Sequence, residues 1–210
     1  MDKRAMDKNT MDKHTKKEKA EALTDMAAEE KDLRGQIGEL RDRLTSSRPE
    51  EWERIPDIDL YMDQVISYMG RQHIGLAPAG DENLTPAMIN NYIKSGLLPR
   101  AKGKRYSREH IGYLTAICLL KQVISVGETG VLLRSQMEHR EIEDFYRNYK
   151  ETLDTAFSQV AESIDADADE ERLAQQALQL AVSSYGQMLA CREILKALEG
   201  AAGNRPKEKE

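Results

Sequence analysis

Leu84-Thr85-Pro86-Ala87-Met88-Ile89-Asn90-Asn91-Tyr92-Ile93-Lys94-Ser95-Gly96 decides how the rest of this chain is read. Threonine stands at an N-cap, proline at the first helical position and glycine just past the last turn, so the spacing predicts a short helix marked at both ends. Met88 or Ile89 with Tyr92 and Ile93 fall on its buried side, which leaves Ala87, Asn90, Asn91 and Lys94 toward solvent or a partner. Leu97-Leu98-Pro99 leaves that helix. Arg100-Ala101-Lys102-Gly103-Lys104-Arg105-Tyr106 follows, a basic loop with glycine at its tip and an aromatic at its base, and it reads as a small β-wing. Ser107 then caps another helix, with Glu109 in its first turn, through Ile111, Leu114, Ile117, Cys118, Leu119 and Val123.

Upstream, a helix is expected to begin near Asp57 and to carry Ile58, Tyr61, Met62, Val65, Ile66 and Met69 on one face. The turn-rich link through Gly75, Pro78, Gly80, Asp81 and Asn83 joins it to the capped helix. Further back, Met-Asp-Lys repeats at Met1, Met6 and Met11, a polar pattern without an apolar face, so residues 1–16 are read as disordered. Residues 17–46 read as an N-terminal helix, because Leu23, Met26, Glu30, Leu33, Ile37, Leu40 and Leu44 alternate in steps of three and four. A helix lying on the neighbouring domain is preferred there to a self-associating coiled coil, and Thr45-Ser46-Ser47-Arg48-Pro49 forms the linker that ends it. Downstream of the basic loop, a short helix near 127–133 returns Val131, Leu132 and Leu133 to the core. The region 137–199 reads as an antiparallel hairpin of two long helices. Ile142, Phe145, Tyr146, Tyr149, Leu153 and Phe157 mark the first, and Leu173, Leu180, Tyr185, Met188, Leu195 and Leu198 the second. Residues 200–210 are a polar tail.

Over residues 54–135, the order of helix, turn, short capped helix, basic loop and helix is that of a winged helix-turn-helix. A helix enters the major groove only when its outer residues are small or polar, as Ala87, Asn90, Asn91 and Lys94 are; an asparagine amide can pair with adenine, or with phosphate as lysine does. Arg100, Lys102, Lys104, Arg105 and Arg108 supply cations for the flanking phosphates, and Thr85 caps the helix.

The chain has 210 residues, 32% charged, 40% hydrophobic and 5% aromatic, with a net charge of -6, which allows one modest aliphatic core plus helical extensions. An acidic average alone argues against nucleic acid, yet between Asn83 and Gln122 seven cations (Lys94, Arg100, Lys102, Lys104, Arg105, Arg108, Lys121) face the one acid Glu109, about +6 locally. From Glu138 to Glu171 the balance reverses, with acids far outnumbering Arg140, Arg147 and Lys150. No run is apolar enough for a bilayer, and Met1 to Lys19 has no apolar signal core, so a cytoplasmic protein away from membranes is expected. Cys118 and Cys191 sit in apolar helical patterns and read as reduced thiols. His14, His73, His110 and His139 do not cluster with acids or cysteines at ligand spacing, and no phosphate loop or nucleophile elbow is present. Neither catalysis, a cofactor nor a metal is expected.

Met88 to Pro99, followed by Arg105-Tyr106-Ser107-Arg108-Glu109-His110-Ile111, resembles the recognition helix and wing of the mercury-resistance-regulator (MerR) superfamily. More closely, Ile55 to Val65, Leu84 to Tyr92 and Ile117 to Val123 resemble the bacterial domain-of-unknown-function family numbered 1836, the likeness extending over roughly residues 20 to 140. The resemblance implies an all-α fold, a MerR-like winged helix-turn-helix with a short β-wing, and DNA binding by a dimer. Asn90 and Asn91 stand where typical superfamily members carry an Arg-Tyr pair for phosphate, and the superfamily's metal-binding cysteines are absent.

The expected function is therefore a homodimeric, sequence-specific transcriptional regulator that binds double-stranded DNA. The C-terminal hairpin would dimerise or bundle, or could enclose a small-molecule or protein effector between Phe145, Tyr149, Phe157, Tyr185 and Met188. The alternative, favoured by the acidic balance and the two asparagines, is a non-catalytic protein-interaction adaptor that keeps the fold without binding DNA.

Overall fold

The computed structural model describes residues 31–72 and 84–203. The polar repeat, the first part of the N-terminal helix, the link through Gly75 to Asn83, His73 and most of the polar tail lie outside the described residues. Within them the protein is all-helical and forms no strand. The order is α1 (31–46), a 3-10 turn at Trp52–Arg54, α2 (Met62–Met69), α3 (Pro86–Lys94), α4 (Arg108–Leu120), α5 (Val126–Met137), α6 (Ile142–Ser163) and α7 (Glu170–Gly203). No described helix is long and apolar enough to cross a membrane.

The core forms around α4, which buries Ile111, Leu114, Ala116 and Ile117 and packs chiefly against α6 and α2, while α3 docks on α2. Phe145, Tyr146, Tyr149 and Leu153 of α6 belong to the same cluster as Val65, Ile89, Tyr92 and Leu98. Trp52 inserts between α4 and α6, its ring 5.5 Å from that of Tyr146. Gly112 makes room for it, since a Cβ at that position would stand 2.9 Å from Trp52 Cζ3. The segment carrying Trp52 is tied down along one line of α6: Glu51 pairs with buried Lys150, Glu53 with Arg147, Arg48 with Asp154, and the Tyr146 hydroxyl donates to the Glu50 carbonyl at 2.7 Å.

Two smaller clusters attach the ends. Leu44 packs with Ala161 and Ile164, and Ile37 and Leu40 join from the same face of α1, so the described part of the N-terminal stripe lies on the end of α6. Leu195 and half-buried Cys191 seat the C-terminal part of α7 on α5 against Ile124 and Val131. Cys118 is half-buried, and neither cysteine forms a disulfide.

Three expectations are corrected. The helix expected from Asp57 begins at Met62, because Leu60 is drawn into an antiparallel bridge with Tyr106; Ile58 and Tyr61 are consequently 67% and 48% exposed. The helix expected through Val123 stops at Leu120, and Val123 turns outward. The expected β-wing is reduced to two isolated bridges, Leu60 with Tyr106 and Lys102 with Arg105. The two long C-terminal helices α6 and α7 follow one another as expected, α7 packs on α5, and a groove of about 380 Å³ lies between α7 and α6. None of the five residues suggested for an effector lines that groove. Phe145 and Tyr149 are buried in the core, and Tyr185 is 63% exposed.

Candidate nucleic-acid interface

Thr85 is extended (φ -112°) and its Oγ1 accepts the Met88 N–H at 3.2 Å, while Pro86 occupies the first turn, where its missing N–H leaves no orphan. Ile89 and Tyr92 are buried, Met88 and Ile93 half-buried, and Thr85, Ala87, Asn90, Asn91 and Lys94 exposed. Gly96 adopts φ +72°, a left-handed conformation that reverses the chain. The Leu97 and Leu98 N–H groups then both donate to the Tyr92 carbonyl, at 2.9 and 3.1 Å, and both leucines are buried. The outer face of α3 is thus held in place from its start and from its exit.

The basic loop is a tight turn. Gly103 and Lys104 have φ of +58° and +63°, the positive pair that a type I′ turn requires, and the Arg105 N–H returns to the Lys102 carbonyl at 3.0 Å. Below it, Leu60 and Tyr106 exchange two backbone hydrogen bonds of 2.9 Å, and Tyr106 is buried. Arg105 lies over the Tyr61 ring, 4.9 Å from its centroid, and donates from Nη2 to the Tyr61 hydroxyl at 3.0 Å. The turn is therefore fastened at both ends, so its cations project from a fixed base.

The cations divide into two groups. Lys94, Arg100, Lys102 and Lys104 are exposed and form no ion pair among the described residues. Arg108, by contrast, is half-buried at the first turn of α4, its guanidinium 5.9 Å from the Trp52 ring centroid. Arg105 stands between the groups, exposed but held by Tyr61.

His110 joins the turn to α4. Its Nδ1 accepts the Ser107 N–H at 3.1 Å, completing the helix cap, and its ring meets Tyr106 edge-on at 5.4 Å. The opposite nitrogen, Nε2, is buried without a hydrogen-bond partner. Burial pushes the imidazole below its ordinary 6.5, against a weaker upward pull from the Arg100 backbone and from the charges of Glu109 and Asp59.

Trp52, Leu60 and Tyr61 position this surface without having been singled out for it in the sequence. The period-two alternation Asp57-Ile58-Asp59-Leu60 carried a signal for extended chain, which the helix-spaced apolar residues after it obscured. Comparison with curated proteins and with solved structures returns no match. Residues 50–152, just under half of the chain, match the family model described as Domain of unknown function (DUF1836), which spans the Trp52 segment, both bridges, α2 to α5 and half of α6. Over residues 50–152 the chain is therefore similar to that family.

Proposed function

We propose that the protein is a sequence-specific, DNA-binding transcriptional regulator that acts as a homodimer, with a MerR-like arrangement in which α3 enters the major groove and the turn at Gly103-Lys104 lies on the flanking backbone. One observation carries the reading: exposed Lys94, Arg100, Lys102 and Lys104 have no counter-charge among the described residues, whereas Arg147, Lys150 and Arg48 are all consumed by carboxylates. Phosphate is the counter-ion such a fixed group of cations would recruit. Asn90 and Asn91 supply amide edges for bases on the outer face of α3. No catalytic step, metal or cofactor belongs to the proposal.

The test is fluorescence anisotropy on labelled DNA from immediately upstream of the protein's own gene, with unrelated DNA as competitor and salt varied. Binding that survives competitor and falls with salt supports the reading, whereas absence of binding at low salt removes it. A protein-interaction adaptor is the second reading, favoured by the net charge of -6 and by the paired asparagines. Its apolar interface would respond little to salt.

A further inference from the structure

Two adjoining hollows, of about 410 and 420 Å³, follow the contact between α5 and the C-terminal part of α7, and Val131, Arg134 and Glu199 line both. Leu97, Val131 and Leu195, all buried, give the first hollow an aliphatic floor, and Ser95 at the exit of α3 closes one side. Three of its charged neighbours are already engaged. The Glu128 carboxylate accepts the Ser125 N–H at 2.7 Å and pairs with Arg192, while Lys196 adds its charge to the same carboxylate and donates from Nζ to Glu193. Arg134 and Glu199 are left over. Both are exposed, they carry opposite charges on facing helices, and neither forms an ion pair among the described residues, with the other or with a third group. Gly130 makes room for the guanidinium. It is buried in the middle of α5, where glycine costs about 1 kcal/mol of helix propensity relative to alanine. A Cβ there would stand 3.2 Å from Arg134 Nη1 and 3.6 Å from Leu97 Cδ1, so the missing side chain lets Arg134 fold back along its own helix, beside the aliphatic floor.

We propose that this hollow binds a small aliphatic α-amino acid as its zwitterion, with the carboxylate on Arg134, the ammonium on Glu199 and the side chain on Leu97, Val131 and Leu195. The planar guanidinium offers a carboxylate two parallel N–H donors, and the Glu199 carboxylate accepts from an ammonium group. Opposite charges that line one hollow without closing on each other suit a ligand that bears both signs. A simple anion would be repelled by Glu199, and a simple amine by Arg134. Both charges have Val131 as a common neighbour, so the charged groups of the ligand lie close together, as they do on one α-carbon. The lining holds aliphatic carbon and no aromatic ring, which favours a branched or linear aliphatic side chain over an aromatic or polar one. Its volume falls within the roughly 300 to 1,000 Å³ of small-ligand sites. The inference does not depend on DNA binding, since neither the outer face of α3 nor the turn at Gly103-Lys104 takes part in the hollow.

The experiment is isothermal titration calorimetry on the full chain, with L-leucine, L-isoleucine, L-valine and L-methionine as the probes. At least one of them is expected to bind, at one site per chain. For L-leucine the two charges are separated by leucinamide, which lacks the carboxylate, and isocaproate, which lacks the ammonium; the matching amide and deaminated acid serve for any other probe that binds. Each analogue should bind roughly threefold to tenfold more weakly than its parent. Arg134→Gln and Glu199→Gln should weaken the amino acid by a similar factor and leave helical circular dichroism unchanged, since both side chains are exposed. Gly130→Ala favours the helix, so it should keep the fold and weaken binding by moving the guanidinium. Absence of heat with all four amino acids up to about 10 mM would overturn the proposal. Analogues that bind as tightly as their parent would overturn the zwitterion, and affinity unchanged in both Arg134→Gln and Glu199→Gln would overturn the site.

Discussion

The division of the cations into free and engaged groups makes a quantitative prediction about salt. Each phosphate neutralised on B-DNA contributes about 0.9 to the slope of log affinity against log salt. Lys102 and Lys104 have no partner among the described residues, so Lys102→Ala and Lys104→Ala should each flatten the slope by about 0.9 per bound protomer, or about 1.8 where both protomers of the proposed dimer engage. Arg105→Ala should flatten it by at most the same amount and also release Tyr61, which loses its 3.0 Å hydrogen bond and its stacked guanidinium. Arg108→Ala is the internal control. Its guanidinium is half-buried over Trp52, so the slope should hold within experimental error while thermal stability falls by about 1 kcal/mol through lost packing. Anisotropy titrations from low to moderate salt, with the same duplex for every variant, measure all four. Equal slopes for Lys102→Ala, Lys104→Ala and the native protein would take the turn off the phosphate backbone; a slope loss in Arg108→Ala equal to that of the lysines would show that burial does not sort these cations.

Three further outcomes follow from the same domain. Gly112→Ala should gain about 1 kcal/mol of helix propensity but lose about 1 to 3 kcal/mol to the 2.9 Å approach on Trp52, so urea midpoints should fall in the native background and rise in a Trp52→Leu background; a rise in both would refute that packing. Burial holds the His110 pKa below its ordinary 6.5, so the folded protein excludes a proton that the unfolded chain takes up. Its contribution to stability is complete above pH 6.5 and is lost as the pH falls through the lowered folded value, and His110→Gln, which can keep the helix cap, should remove that part of the acid loss in thermal melts between pH 5 and 7. Lys104 holds φ +63° without being glycine, so Lys104→Gly should raise stability by up to about 1 kcal/mol in the same melts while weakening DNA binding; a loss of stability would mean that the side chain anchors the turn.

How much of this was legible depends on the range of the interaction that fixes each element. Thr85, Pro86 and Gly96 act within one turn of the helix they bound, and α3 occupies the limits their order implies, with Asn90, Asn91 and Lys94 outward as the helical period dictates. Ser107 marks the start of α4 in the same way, although His110 as the reciprocal partner is a less common choice than glutamate or glutamine. The start of α2 was misjudged because its boundary is set by Tyr106, 46 positions away from Leu60, through a bridge that no local pattern encodes. Trp52 went unread for a related reason: its cavity exists only because Gly112 of α4 has no side chain, and the two residues are not neighbours in sequence.

The C-terminal helices show the limit more sharply. Periodicity identifies a helix and the side on which it is apolar, but it cannot name what lies against that side. For α6 the stripe through Phe145, Tyr149 and Leu153 meets α4, so its aromatics are buried in the core and cannot also line a ligand cavity. In α7, apolar residues on two faces blur into one broad pattern in which Leu178 and Val182 look like irregularities of a single stripe. Once Leu195 and Cys191 are seen on α5, those two residues fall on a line of their own with Tyr185 and Leu189. Glu171 and Lys196 end that line with opposite signs, a polarity along the helix that periodicity alone does not register.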